Sequence, residues 1–290
     1  MVRRACESAI FSAVGLRSGL LLMALVLLAA CQHDKPKRHG PKLTPLAASS
    51  WLVDLEVPGF EKAALAVPLG ATSARPIVIA LHGSADRAEW ACSALRSIAG
   101  PEPFVLCPRG VKRTDFAAPD VRYTFGTPED TAGELRAALS ALKKKFGIRV
   151  AAGPVVFEGF EIGADRAAWI ARQEPAFFSR VLLIEPSETS WPSSQAAVFG
   201  RSGGQRALFA FGPAHRDELS PKAVLTVRGG AEARAVFLGA RPAALDGPSR
   251  ALLAQHWAWL SAPTSKPPTI ENLAGNALPA GGPMAGRPAP

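Results

Sequence analysis

Pro154-Val-Val-Phe-Glu-Gly-Phe-Glu-Ile-Gly-Ala164 is the stretch whose reading decides the fold. A short apolar run enters Gly159-Phe-Glu-Ile-Gly163, and an alanine-rich pattern with helical spacing follows at once. A strand, a sharp turn and a helix in that order lift one side chain above the end of a sheet. In the common form of this elbow, Gly-x-Ser-x-Gly, the lifted residue is serine. Here it is Glu161.

Working outward, the hydrophobic periods alternate. Pro76-Ile-Val-Ile-Ala-Leu81 is continuously apolar and β-branched, the mark of a strand buried on both faces of a parallel sheet, and it ends in His82-Gly83-Ser84. Ahead of it, 51–57 and 63–69 read as two strands with no helix between them. Behind it, 86–98 reads as a helix with Asp86 as N-cap and Trp90, Ala94 and Leu95 on one side. Phe104–Cys107 follows as a strand, 111–127 as a loop, and 128–146 as an amphipathic helix with Leu135, Leu139, Leu142 and Phe146 on one stripe. After the elbow come strands at 181–184, 207–211 and 233–238, with helices at 191–199, 219–228 and 249–260. Strands alternating with helices predict an α/β domain, a mostly parallel sheet with helices on both faces, over residues 51–261.

The flanks read differently. Arg3, Arg4 and Arg17 precede an apolar run from Leu20 to Ala30, too short to span a bilayer and of signal-peptide length. It ends Leu28-Ala29-Ala30-Cys31, which resembles the lipobox of bacterial lipoproteins. That resemblance implies removal of residues 1–30, lipid (palmitate among the acyl chains) on Cys31, and a bacterial envelope location. The protein would be anchored to the membrane through that lipid, with Gln32 pointing to the outer membrane. Residues 31–50 read as a flexible basic tether, and 262–290, with seven prolines beyond Ser261, as a disordered tail.

The formal net charge is +9, falling to about +7 without residues 1–30. Its basic residues are scattered among acids without aromatic interleaving, which argues against nucleic acid as a partner. Setting aside Cys6 and Cys31 leaves Cys92 and Cys107. In an exported chain a bridge between them is favoured over two buried thiols, and no metal-ligand spacing competes. No residue pattern calls for a cofactor.

With the His82-Gly83 strand end, the Gly159–Gly163 elbow and the order of elements in place, the domain resembles the α/β-hydrolase fold family. Trp90, Cys92 and Cys107-Pro108-Arg109-Gly110 resemble a bacterial, esterase-like subgroup of it. The resemblance implies a serine nucleophile, an acid, a histidine after the last strand and an oxyanion hole. Residue by residue, the nucleophile falls on Glu161, the acid on Asp217, and the oxyanion positions on Gly83, Ser84 and Ile162. No histidine occurs in Gly239–Asp246, where the base belongs. Glu161 itself is expected to occupy the oxyanion donors, held by the Ile162 N–H and the helix N-terminus.

Two functions follow. The first is an envelope lipoprotein of α/β-hydrolase fold that has lost serine-hydrolase chemistry, a pseudoenzyme acting by binding a small ligand or an envelope protein. The second is a hydrolase of a small ester, lipid or cell-wall component with a rearranged site using Glu161, His215 and Asp217. His82 and His256 read as structural, and Ser84 is the weaker substitute nucleophile.

Overall fold

The computed structural model describes residues 42–213, 216–239 and 245–262, and within 216–220 the backbone only. The expected signal peptide, the Cys31 lipidation site, residues 31–41 of the expected tether, His215 and the tail from 263 lie outside the described residues.

Eight strands form one sheet: β1 (Leu52–Leu55), β2 (Ala63–Ala66), β3 (Ile77–Leu81), β4 (Phe104–Cys107), β7 (Val156–Phe160), β8 (Arg180–Ile184), β9 (Arg206–Phe211) and β10 (Glu232–Phe237). Their spatial order is β1-β2-β4-β3-β7-β8-β9-β10. Only β2 runs against its neighbours: β1 and β4 both pair with it antiparallel, and every other pair is parallel. The first two strands need no crossover helix because an antiparallel pair closes through a loop, whereas each parallel pair needs a helical return. β3 and β7 lie side by side at the centre, with Leu81 opposite Gly159, so the loops that follow them leave the sheet together.

Strand alternation then sorts the core into two layers. On one face Ile79, Phe157, Val181 and Phe209 pack against the helices α2 (Pro128–Phe146), α3 (Ile162–Gln173), α4 (Ser193–Arg201) and α5 (Arg216–Arg228). On the other, Val78, Val156, Leu182 and Leu208 meet α1 (Ala88–Ala99) and α6 (Gly247–Ser261), which also pack on each other. The stripe of α2 is as read from sequence: Leu135, Leu139 and Leu142 are buried, and Phe146 is partly buried against Phe104. Thr127 caps this helix, its hydroxyl accepting from the Asp130 N–H at 3.1 Å.

Several boundaries differ from expectation for identifiable reasons. Asp86 does not cap α1, which starts after Arg87 without a side-chain cap. Its backbone is instead bridged to Tyr123 in both directions, at 3.3 and 3.0 Å, and its carboxyl accepts from the Arg87 N–H. That bridge also orders the expected loop 111–127, where β5 (Val111–Lys112) and β6 (Tyr123–Thr124) form a two-stranded ribbon. Trp90 is not on the buried side with Leu95. It is 48 % exposed, with the Arg122 guanidinium 4.4 Å from its ring centre. The elbow strand runs through Gly159 to Phe160, one residue short of Glu161.

Both ends of the domain are fastened at the edge where the parallel strands begin. Arg149, just ahead of β7, donates to the Thr44 carbonyl at 2.8 Å and hydroxyl at 2.9 Å, while Leu43 and Leu46 bond to the segment 70–72. Arg206, the first residue of β9, donates to the carbonyls of Trp259 and Ala262. A cation there stabilises the negative end of α6.

Cys92 of α1 and Cys107 of β4 form the expected disulfide, with Cα atoms 5.8 Å apart. The 15-residue loop that it closes is worth about 3 kcal/mol through the unfolded chain. Replacing both cysteines by alanine should lower the unfolding free energy by that amount, read from paired denaturant titrations. Reduction of the parent protein should produce a loss of similar size.

Candidate functional site

The turn after β7 is sterically complete. Glu161 sits at φ 50°, ψ −119°, a region that non-glycine residues rarely occupy. Gly159 and Gly163 have no alternative: a Cβ on Gly159 would fall 2.4 Å from the Gly163 carbonyl oxygen, and one on Gly163 would fall 2.2 Å from that of Leu81. The Glu161 N–H donates to the Ile184 carbonyl at 2.9 Å, and its own carbonyl accepts from Ala164 and Asp165 as α3 begins. A strained residue held from both sides in this way marks a position selected for where its side chain goes.

The side chain goes over the end of β3. A Cβ on Gly83 would lie 2.8 Å from Glu161 Oε2, so the carboxyl group rests directly against the oxyanion loop. The carboxyl stands by Gly83, and Glu161 makes no side-chain cap bond to α3.

The oxyanion loop is fixed by buried polar groups. His82 Nδ1 lies 2.8 Å from the Gly83 carbonyl oxygen and Nε2 2.9 Å from that of Arg109, and its ring packs on Phe125. Arg109 is held by Asp54, Glu89 and the Lys62 carbonyl. Glu134 of α2 accepts from the Gly110 N–H at 3.0 Å. Burial raises the Glu134 pKa, partly offset by the Gly110 and Arg109 N–H groups. These contacts account for Pro108-Arg109-Gly110, and they leave His82 as a clasp between two loops. Ser84 is exposed, and its hydroxyl accepts from Arg113 at 3.3 Å.

Of the remaining expected positions, Ile162 opens α3 directly beside the elbow. Asp217 falls on the backbone of α5, with its side chain outside the described residues, as is the whole of His215. His256 lies mid-way along α6, its Nδ1 buried without a hydrogen-bond partner and its pKa lowered by burial, with Arg234 adding to the effect.

Two acids at this edge have no role in the sequence reading. Glu185 follows β8 at φ 50°, and its carboxyl accepts from the Gly212 N–H, tying the ends of β8 and β9. Glu158, in the middle of β7, is 2 % exposed, and no described residue gives it a hydrogen bond or ion pair. Burial, then the nearby Asp86, holds its pKa well above the usual carboxyl value. A charge-bearing residue inside Val155-Val-Phe-Glu-Gly-Phe160 is the signal that would have found it.

Comparison with solved structures agrees with this frame. A carboxylesterase from Mesorhizobium loti superposes with a TM-score of 0.50 at 19 % identity, over 74 % of this chain and all of its own. A predicted CIB-like hydrolase from Thermoplasma acidophilum gives 0.52 at 13 %, over 72 % and 96 %. Est1E from Butyrivibrio proteoclasticus gives 0.51 at 10 %, over 73 % and 99 %. A scan against protein-family models and a search of curated proteins both find no match. The strand order, the elbow and these likenesses together define the architecture: the chain has the α/β-hydrolase fold.

Glu158 carries a testable consequence. Its pKa is raised on folding, so its ionisation opposes the fold. Stability relative to a neutral residue is retained below the unfolded pKa of about 4.3 and lost as pH rises through the higher folded value. Glu158→Gln should therefore melt above the parent protein at neutral pH, with the difference shrinking as pH falls toward 4 in a series of thermal melts.

Proposed function

We propose that this protein keeps the α/β-hydrolase frame without serine-hydrolase chemistry and works by binding a small ligand or an envelope protein at the elbow edge of its sheet. The observation that supports the reading is the position of Glu161, whose carboxyl group lies against Gly83 where a substrate carbonyl oxygen would have to be received. Oxyanion donors stabilise charge that develops on the substrate, and a resident carboxyl group competes for the same ground. Two further features point the same way. Glutamate replaces the hydroxyl nucleophile, and Gly239–Asp246 carries no histidine to act as base. The polar contacts of His82, Arg109 and Glu134 maintain the loop whether or not a reaction takes place there.

On this reading, purified protein shows no turnover of p-nitrophenyl acetate above the buffer rate. Glu161→Ser alone restores none, because a nucleophile without a base gains little. Hydrolysis that disappears in Glu161→Gln or in His215→Ala would overturn the proposal and favour the rearranged site.

We place the protein at the bacterial cell envelope, held by lipid on Cys31, on the strength of Leu28-Ala-Ala-Cys31 after an apolar run of signal-peptide length. Mass spectrometry of the N-terminal peptide from membranes should find acyl chains on Cys31 and no residues before it. An unmodified Cys31, or a mature chain that starts elsewhere, would refute the assignment.

A further inference from the structure

Beneath the elbow, on the face of the sheet covered by α1 and α6, lies a cavity of about 250 Å³. It is reached between the start of α1 and the first turns of α6. Six of its side chains carry the chemistry: Glu158 and Phe160 from β7, His82 after β3, Asp86 and Trp90 at the start of α1, and Arg250 from α6. His82 is already engaged by two carbonyls. Among the described residues no three His, Cys, Asp or Glu side chains converge closely enough to hold a metal ion.

Glu158 is the group that needs an explanation. Its neighbours on this face, Val78, Ala80, Val156 and Leu182, are apolar and fully buried. Folding alone would favour a small apolar residue at this position. A buried carboxyl left without a partner is destabilising, and native proteins rarely tolerate one without a use. Glu158 is 98 % removed from solvent, faces the cavity, and receives no hydrogen bond from any described residue. Asp86 stands close enough to act on it electrostatically, so the cavity has an acidic end made of two carboxyl groups. Arg250 supplies the opposite character. Arg250 lines the same cavity, its side chain makes no hydrogen bond or ion pair with the described residues, and Asp246 lies near enough to interact with it electrostatically. Glu158 and Arg250 form no ion pair with each other, which leaves both free to engage a ligand lying between them. Trp90 and Phe160 provide the apolar walls.

A ligand matching this lining has a cationic donor at one end, an anionic acceptor at the other, and a compact apolar body. We propose that the cavity is a binding site for a small zwitterion of the amino-acid class, its ammonium group received by Glu158 and Asp86 and its carboxylate by Arg250. The volume suits a molecule of that size, at the small end of ligand sites. Guanidinium is also the side chain best shaped for a carboxylate. The inference rests on the binding reading above and gives that reading a ligand class.

The test titrates the purified full-length protein with glycine, leucine and phenylalanine at millimolar concentrations, by calorimetry and by thermal shift. 2-Phenylethylamine and 3-phenylpropanoate serve as probes carrying only one of the two charges. Saturable binding of leucine or phenylalanine is expected, with each single-charge probe weaker by roughly tenfold, the factor for about 1.4 kcal/mol. Glu158→Gln should weaken the zwitterion and 2-phenylethylamine by a similar factor and leave 3-phenylpropanoate unchanged. Arg250→Met should do the reverse. Arg250 is half-buried at the cavity rim, so its replacement gives a folded control if the Glu158 variant fails to fold. No saturable binding by any zwitterion, or binding indifferent to both substitutions, overturns the inference. Ester turnover is followed in the same preparation. Turnover together with binding removes the non-hydrolytic reading and leaves the cavity site standing, whereas absence of both removes only the cavity site.

Discussion

The constraint on which the elbow depends is its approach to the end of β3. Gly163 sits where the smallest side chain would collide with the carbonyl oxygens of Leu81 and His82, and Gly159 sits where one would collide with Gly163. Two glycines four residues apart thus allow a helix to start in contact with the neighbouring strand, with no side chain to hold them apart. From this contact follows the position of the residue between them. Glu161 takes a backbone conformation that only the surrounding hydrogen bonds can enforce, and its carboxyl group is delivered onto Gly83. The strand order brings β3 and β7 together, and the glycines set how near their loops can come.

Around this contact the polar groups fall into two kinds. His82, Arg109, Glu134 and Glu185 are spent on backbone groups and ion pairs, and they hold loops rather than face solvent. Buried polar groups satisfied in this way rigidify a site. Glu158 and Arg250 are the other kind, charge-bearing groups that border a cavity without being used by the fold. The oxyanion loop keeps its clasp and the turn keeps its glycines, while the raised residue is an acid.

Much of the architecture was legible in the sequence, because parallel strands buried on both faces read as unbroken apolar runs. Ile77–Leu81, Phe104–Cys107 and Arg180–Ile184 stand out for that reason, and the α2 stripe stands out by its period. The disulfide was legible by elimination once two cysteines had been assigned elsewhere. What escaped depended on contacts between distant segments. Nothing local distinguishes Asp86 as a bridge partner of Tyr123 from Asp86 as a helix cap, and the ribbon at 111–124 exists only because that bridge forms. Trp90 carries a core residue's composition at a rim position, where Arg87 and Arg122 cover its ring. Glu158 was visible as an acid in an apolar strand directly ahead of the elbow, but its burial without a partner was not. The candidate site was therefore half legible: its glycines and its raised residue could be read, and the direction of the Glu161 carboxyl and the cavity beneath it could not.

The two fastenings at the opposite edge of the sheet have a mechanical meaning. Thr44 is pinned by Arg149 and Ala262 by Arg206, each beside the beginning of a parallel strand, whereas the elbow and the oxyanion loop lie where such strands finish. Chain entering at residue 42 and leaving at 262 therefore does so at the edge of the sheet opposite the elbow. A pull on either end of the domain would load guanidinium–carbonyl bonds there before it reached the elbow turn.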